Sequence, residues 1–203
     1  MSDPKVSVIY YSATGSVHAL AQQAAEAAER AGAEVRLRKV RELAPREAIE
    51  SNEGWSKHAL ETQDLPEATA DDVTWADAVI FGTPTRYGNV AAQLKQFLDT
   101  LGPQWAQGQL ANKVYTGVVS AGTNHGGLET TLVALYNTIY HFGGIVVAPG
   151  YTDPSKFVDG NPYGASHISD NGATPPREQD LTAVAYSATR ATEIAAQLKR
   201  GAL

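Results

Sequence analysis

Cysteine is absent from this chain of 203 residues. Its absence excludes disulfides, thiolate catalysis, cysteine-ligated iron–sulfur clusters and zinc knuckles. An excess of basic charge is also missing: 16 Lys and Arg stand against 22 Asp and Glu, for a net charge of -6 and a pI near 5.3. With no basic patch, nucleic acid is not an expected partner. No apolar run approaches the ~20 residues that cross a bilayer. The opening Met-Ser-Asp-Pro-Lys has no apolar signal character, so a cytoplasmic protein without membrane insertion is expected. What is present is ordinary for a globular chain, with 43% hydrophobic and 19% charged residues,. The length suffices for one large domain over residues 1–203,.

Strand-like and helix-like segments alternate. Strand signals fall at Lys5–Tyr11, Ala33–Val40, Asp77–Thr83, Lys113–Ser120 and Gly144–Ala148. Four of these are nearly continuous apolar runs, the mark of strands covered on both faces. In Ala33–Val40, Glu34, Arg36 and Arg38 interleave with the apolar positions, as in an edge strand with one wet face. Helical stripes follow at Val17–Ala31, Val90–Leu101, Leu128–Ile139 and Leu181–Leu198,. This alternation predicts an α/β fold: a doubly wound, five-stranded parallel sheet in the flavodoxin-like order 2-1-3-4-5, with long loop insertions. Arg41–Trp75 and Pro149–Arg177 lack periodicity and read as the insertions, functional lids or partner contacts,. Trp55 and Trp75 within the first are expected to be packing residues.

Ligands of such sheets bind at the carboxyl ends of the strands, so the loops after strands one, three and four carry the chemistry. The first holds Ser12, Ala13, Thr14, Gly15, Ser16 and Val17. Three hydroxyls surround one turn at a helix start, where free N–H groups and the positive dipole end favour a phosphate. No Lys or Arg lies in the turn, and the P-loop spacing is absent, so the phosphate is one that stays bound rather than being transferred. The competing reading is a plain helix N-cap at Ser16. The second loop holds Pro84, Thr85, Arg86, Tyr87, Gly88 and Asn89. Tyr87 offers a flat face and Arg86 a cation; alternatively the loop is a mere connection with Asn89 capping the next helix. The third holds Ser120, Ala121, Gly122, Thr123, Asn124, His125, Gly126 and Gly127. Its glycines admit close backbone approach, and its amides suit the polar edge of a heterocycle; Glu129 just beyond reads as a first-turn helix acid. Phosphate socket, aromatic face and bed of amides together match flavin mononucleotide (FMN).

The runs Tyr10-Tyr-Ser-Ala-Thr-Gly-Ser16, Phe81-Gly-Thr-Pro-Thr-Arg-Tyr-Gly-Asn89 and Ser120-Ala-Gly-Thr-Asn-His-Gly-Gly-Leu-Glu-Thr-Thr131 resemble the signature loops of the type IV NAD(P)H:quinone oxidoreductases, the WrbA-type flavoproteins. Pro162–Ala165 is similar as well, and the likeness spans nearly the whole chain. The resemblance implies a phosphate loop at Ser12–Val17, ribityl and ring contacts at Thr85–Tyr87, and a loop beneath the isoalloxazine at Ser120–His125. It implies that His141 reaches the flavin, and that Trp105, Thr14 and Tyr163 contact substrate. It further implies a homotetramer whose flavin sites are completed by neighbouring subunits. Family members often carry an aromatic residue where this chain has Thr14. Taken without the resemblance, His141 reads as a dipole-stabilised surface cation and Trp105 as a loop anchor.

The expected function is an FMN-dependent two-electron reductase, taking hydride from NADH or NADPH and passing both electrons to a quinone by ping-pong turnover. The flavin carries the chemistry, so no side chain is expected as a catalytic residue and no metal is expected. Avoiding the semiquinone suits a role in oxidative stress. Two other classes stay open: a one-electron carrier like a small flavodoxin, and a non-enzymatic flavin-binding regulatory protein.

Overall fold

Alternate residues of the first strand set the layering of the fold. In the computed structural model, which describes residues 2–201, Val6, Val8 and Tyr10 of β1 (Lys5–Tyr10) face one apolar layer and Ile9 faces the other. The first layer is closed by α1 (Ser16–Arg30) and by the long final helix, Glu178–Gly201; the second is closed by the helices Ala92–Asp99 and Leu128–Phe142. These four helices carry the stripes read from the sequence, and helices on both faces explain the unbroken apolar strands.

β1 pairs in parallel with β2 (Glu34–Lys39) on one side and β3 (Ala78–Arg86) on the other. The two-residue β4 (Asn89–Val90) folds back antiparallel on the end of β3. β3 is also parallel to β5 (Val114–Ala121). The outer edge of β5 is shared: β6 (Ile145–Val146) pairs with Val114 and Tyr115, and β7 (Ala165–Ile168) with Val118–Ala121. The fold is the flavodoxin-like α/β sheet, but it has seven strands with the path β2-β1-β3-β5-β6 rather than five in the order 2-1-3-4-5. Two short strands make the difference: β4, folded back from the end of β3, shifts the numbering of the path, and β7 is added at the outer edge. The chain leaves the sheet after two residues of β6 and returns as β7, whose polar Ser166 and His167 are buried. Internal partners satisfy them: Asp159 takes the Ser166 amide and Asp180 the His167 ring. A polar strand of this kind gives no apolar run to read.

The stretches without periodicity also hold regular structure. Between β2 and β3 lie α2 (Arg46–Glu50), α3 (Glu53–Glu61) and α4 (Ala70–Trp75). Numbering the helices onward, Ala92–Asp99 is α5, Gly102–Ala106 is α6, Leu128–Phe142 is α7, Pro154–Asp159 is α8 and Glu178–Gly201 is α9. Helices α2, α4, α6 and α8, of five or six residues each, are too short to display a helical stripe, and the nine-residue α3 buries only His58,. The wet face of edge strand β2 is roofed by α4, where Arg36 and Arg38 each reach Asp72 at 3.1 Å and the Arg36 guanidinium lies 4.1 Å from the Trp75 ring. No helix among the described residues is long and apolar enough to cross a membrane.

Candidate functional site

The carboxyl ends of β1, β3 and β5 open into one cleft of about 350 Å3. Its deepest wall is the turn from β1 into α1. Gly15 occupies the N-cap in the left-handed region (φ 96) and no side chain caps the helix. Ser16 is therefore the first helical residue and not the cap, which removes the plain-cap reading. Gly15 donates its own amide to Ser12 Oγ at 3.1 Å. The amides of the next three residues have no acceptor within the helix, as at any helix start, and no acidic residue occupies the first turn. Ser12, Ala13, Thr14, Ser16 and Val17 all line the cleft here. This is a neutral, donor-rich end of a fifteen-residue helix, suited to a phosphate,.

Pro84, Thr85 and Arg86 form the second wall. The strand then turns through Tyr87 (φ 53) and Gly88 (φ 77) so that Asn89 pairs with Arg86. Two residues with positive φ make a tight hairpin, not a simple connection, and Asn89 does not cap the next helix: Ala91 holds that position. Tyr87 stands fully exposed at the tip. Thr85 stitches this hairpin to the third loop: its hydroxyl accepts from Thr131 Oγ1 at 2.7 Å and from the Gly88 amide at 3.2 Å, and donates to the Gly126 carbonyl at 3.3 Å. Gly127 caps α7 with φ 97, and a Cβ there would lie 2.8 Å from Gly88 Cα, so the two loops touch backbone to backbone.

Ser120, Ala121 and Gly122 complete the inner wall, while Thr123, Asn124 and His125 turn outward into solvent. Glu129 lies in the first turn of α7.

Three residues singled out by the resemblance stand elsewhere in this chain. Trp105 donates from Nε1 to the His141 carbonyl at 2.7 Å, and both are exposed. They sit at the far end of α7, roughly 22 Å along its fifteen residues from the third loop,. Tyr163 is exposed on the outer edge, where its carbonyl accepts from Tyr136 Oη. In the single chain these side chains stand outside the cleft: Trp105 and His141 because α7 runs away from the carboxyl edge of the sheet, and Tyr163 because it precedes β7 on the outer edge.

Four residues that sequence reasoning missed also line the cleft. Asn52 and Trp55 come from α3 and its cap, and Ser169 and Asn171 from the segment after β7. Trp55 is a cleft wall, not a packing residue. Its indole N–H is held by Glu42 Oε2 at 3.1 Å and its amide by Asn52 Oδ1 at 2.9 Å. Glu42 also receives Tyr11 Oη at 2.9 Å, Gln93 at 2.7 Å, and the amides of Leu43 and Ala44. Burial raises the Glu42 carboxyl pKa, but these donors outweigh it and leave it below the usual range. The signal available in the sequence was an aromatic residue inside a long polar insertion.

A second cavity of about 300 Å3 lies behind the phosphate turn and shares Ser12 and Trp55 with the cleft. His58 lines it, only 7% exposed. Burial first, and then neighbouring His18, pushes His58 down to about 4. A neutral ring thus supports Gly15, where a Cβ would lie 3.5 Å from His58 Nδ1.

Comparison with known proteins bears on this geometry. Residues 4–156 match the family model described as NADPH-dependent FMN reductase. A protein of Deinococcus radiodurans named NAD(P)H dehydrogenase (quinone) is 45% identical over 195 residues, 96% of each chain. A protein of the same name from Geotalea uraniireducens is 40% identical over 207 residues, 97% of this chain and 100% of its own. Among solved structures, the flavodoxin, WrbA-like protein from Agrobacterium tumefaciens superposes with a TM-score of 0.68 at 24% identity, over 96% of this chain and 99% of its own. That last likeness speaks for the fold alone.

Proposed function

This chain belongs to the NADPH-dependent FMN reductase family, and we propose that it is an FMN-dependent NAD(P)H:quinone oxidoreductase. The observation that carries this is the uncapped, neutral start of α1 opening into the same cleft as the hairpin after β3 and the glycine-rich loop after β5.

The residues present fit FMN. The amides and hydroxyls of Ser12 through Val17, with Gly15 bending the chain, would hold its phosphate. Pro84, Thr85, Arg86, Tyr87, Gly88 and Asn89 would border its ribityl chain and ring, and Ser120 through Gly127 would lie beneath the ring. When bound, FMN supplies the two-electron chemistry between a reduced nicotinamide and a quinone. The protein's part is to bind, orient and exclude water. Amides of the third loop stabilise negative charge on a bound heterocycle, and being fixed in advance they do so without reorganisation. Thr85 keeps the second and third loops in one register through its three hydrogen bonds. Trp55 and Asn171 narrow the mouth.

Trp105 and His141 reach a flavin on this reading only across a subunit boundary, so a homo-oligomer, a tetramer by the resemblance, belongs to the proposal. So does residence in the cytoplasm. The test is direct. The purified protein should carry a flavin spectrum that NADH or NADPH bleaches and 1,4-benzoquinone restores. Colour that persists under excess of both nicotinamides would overturn the proposal.

A further inference from the structure

We propose that Trp55 and Asn171 form the subsite for the nicotinamide of the electron donor, Trp55 giving the ring a face and Asn171 pairing with its carboxamide. This rests on the reading of the cleft as an FMN site.

The cleft has two parts of different origin. Its floor is made by the three strand-end loops, rich in amides and hydroxyls. Its rim comes from the two insertions: α3 brings Trp55, and the segment after β7 brings Asn171. A cofactor that stays bound occupies the floor, whereas a ligand that comes and goes passes the rim.

Both rim residues are placed before any ligand arrives, Trp55 by its side chain and the exposed Asn171 by its backbone alone. Glu42 anchors the indole N–H of Trp55, leaving the ring faces unspent. Asn171 is held by its backbone. Asp170, Asn171 and Gly172 take positive φ in succession (44, 54 and 93), a sparsely populated path that persists only where the surroundings impose it. The surroundings do so here. Ser169 donates its amide to the Ala121 carbonyl at 2.8 Å, and Thr174 donates to the Ser169 carbonyl at 2.9 Å. A Cβ at Gly172 would lie 2.6 Å from Thr14 Oγ1, and one at Gly122 only 2.7 Å from Asn171 Oδ1. The strap is therefore wedged between the first and third loops. Among the described residues the Asn171 amide group makes no hydrogen bond, although it borders the cleft.

The chemistry of this pair selects its ligand. A carboxamide offers one carbonyl acceptor and an NH2 donor, and an asparagine amide is its complement at both ends. A quinone offers acceptors only and would use half of it. An indole face suits a planar ring. Asn52, the other rim amide, has already spent its oxygen on the Trp55 amide. Arg86 turns its guanidinium back to the Thr85 carbonyl at 3.0 Å.

The experiment compares the FMN-loaded wild type with Asn171→Gly, Trp55→Leu and Trp55→Phe. Glycine removes the amide while accepting the left-handed backbone. Binding of the redox-inert donor analogue 1,4,5,6-tetrahydro-NAD is measured by calorimetry, alongside KM for NADH, KM for benzoquinone and the FMN dissociation constant. Asn171→Gly and Trp55→Leu should each weaken analogue binding and raise the NADH KM about tenfold, as expected for one lost contact. Benzoquinone KM and FMN affinity should stay within about twofold, and Trp55→Phe should restore most of the loss. Unchanged analogue binding would overturn the assignment, as would an FMN affinity that falls in step with it. A wild-type flavin that no nicotinamide bleaches would instead overturn the functional reading beneath it.

Discussion

Ser16 opens α1 as its first helical residue, with its own amide and those that follow directed out of the helix start,. A carboxylate placed there favours the helix dipole and repels a phosphate at the same time. Ser16→Asp should thus leave the melting temperature of the flavin-free protein unchanged or raised, yet abolish FMN retention on gel filtration. Retention at the wild-type level would place the phosphate elsewhere. Gly127 makes a separate test of the loop junction. With φ 97 and a Cβ only 2.8 Å from Gly88 Cα, Gly127→Ala should cost more than about 1 kcal/mol in urea unfolding. His58 supplies a pH dependence. Its folded pKa is about 4 against an ordinary value of 6.5, so the unfolded chain binds the extra proton between those values. Stability is then full above about pH 6.5 and declines as pH falls toward 4, the sense required when the unfolded state takes up more protons. His58→Leu should flatten the melting temperature over this window, whereas the carboxylates held low, Asp72 and Asp180, act at more acidic pH.

At the scale of elements, legibility followed length and periodicity. The helices α1, α5, α7 and α9 and the strands β1, β3 and β5 announce themselves because each buries a continuous face. Leu132 of α7 is fully buried against the sheet, and Leu132→Ala should cost about 2–5 kcal/mol. The insertions were illegible for the opposite reason. α3 buries only His58, and its position rests on Glu42, whose carboxylate gathers donors from the end of β1, from α3 and from α5. Such a hub depends on contacts between positions 11, 42, 55 and 93, and no local pattern reveals it. Glu42→Ala should orphan those donors, cost about 1–3 kcal/mol, and shift the emission of Trp55. In the same way the three strand-end loops of the site were readable from hydroxyl and glycine content, while Asn171 was not, because its place is fixed by a wedge between Thr14 and Gly122.

For the whole molecule, one chain gathers the strand-end loops into a cleft but leaves Trp105 and His141 at the other end of α7. Turnover that needs them from a neighbour should fall on dilution in step with the loss of the oligomer in sedimentation; activity that persists in the monomer would contradict shared sites. The account as a whole depends on where the cofactor's phosphate sits, and a crystal structure of the FMN complex measures that most directly. It should show the phosphate oxygens within hydrogen-bonding distance of the first amides of α1 and of the Ser12, Thr14 and Ser16 hydroxyls, with the ring between the hairpin after β3 and the loop after β5. A complex with the phosphate outside that turn would contradict it.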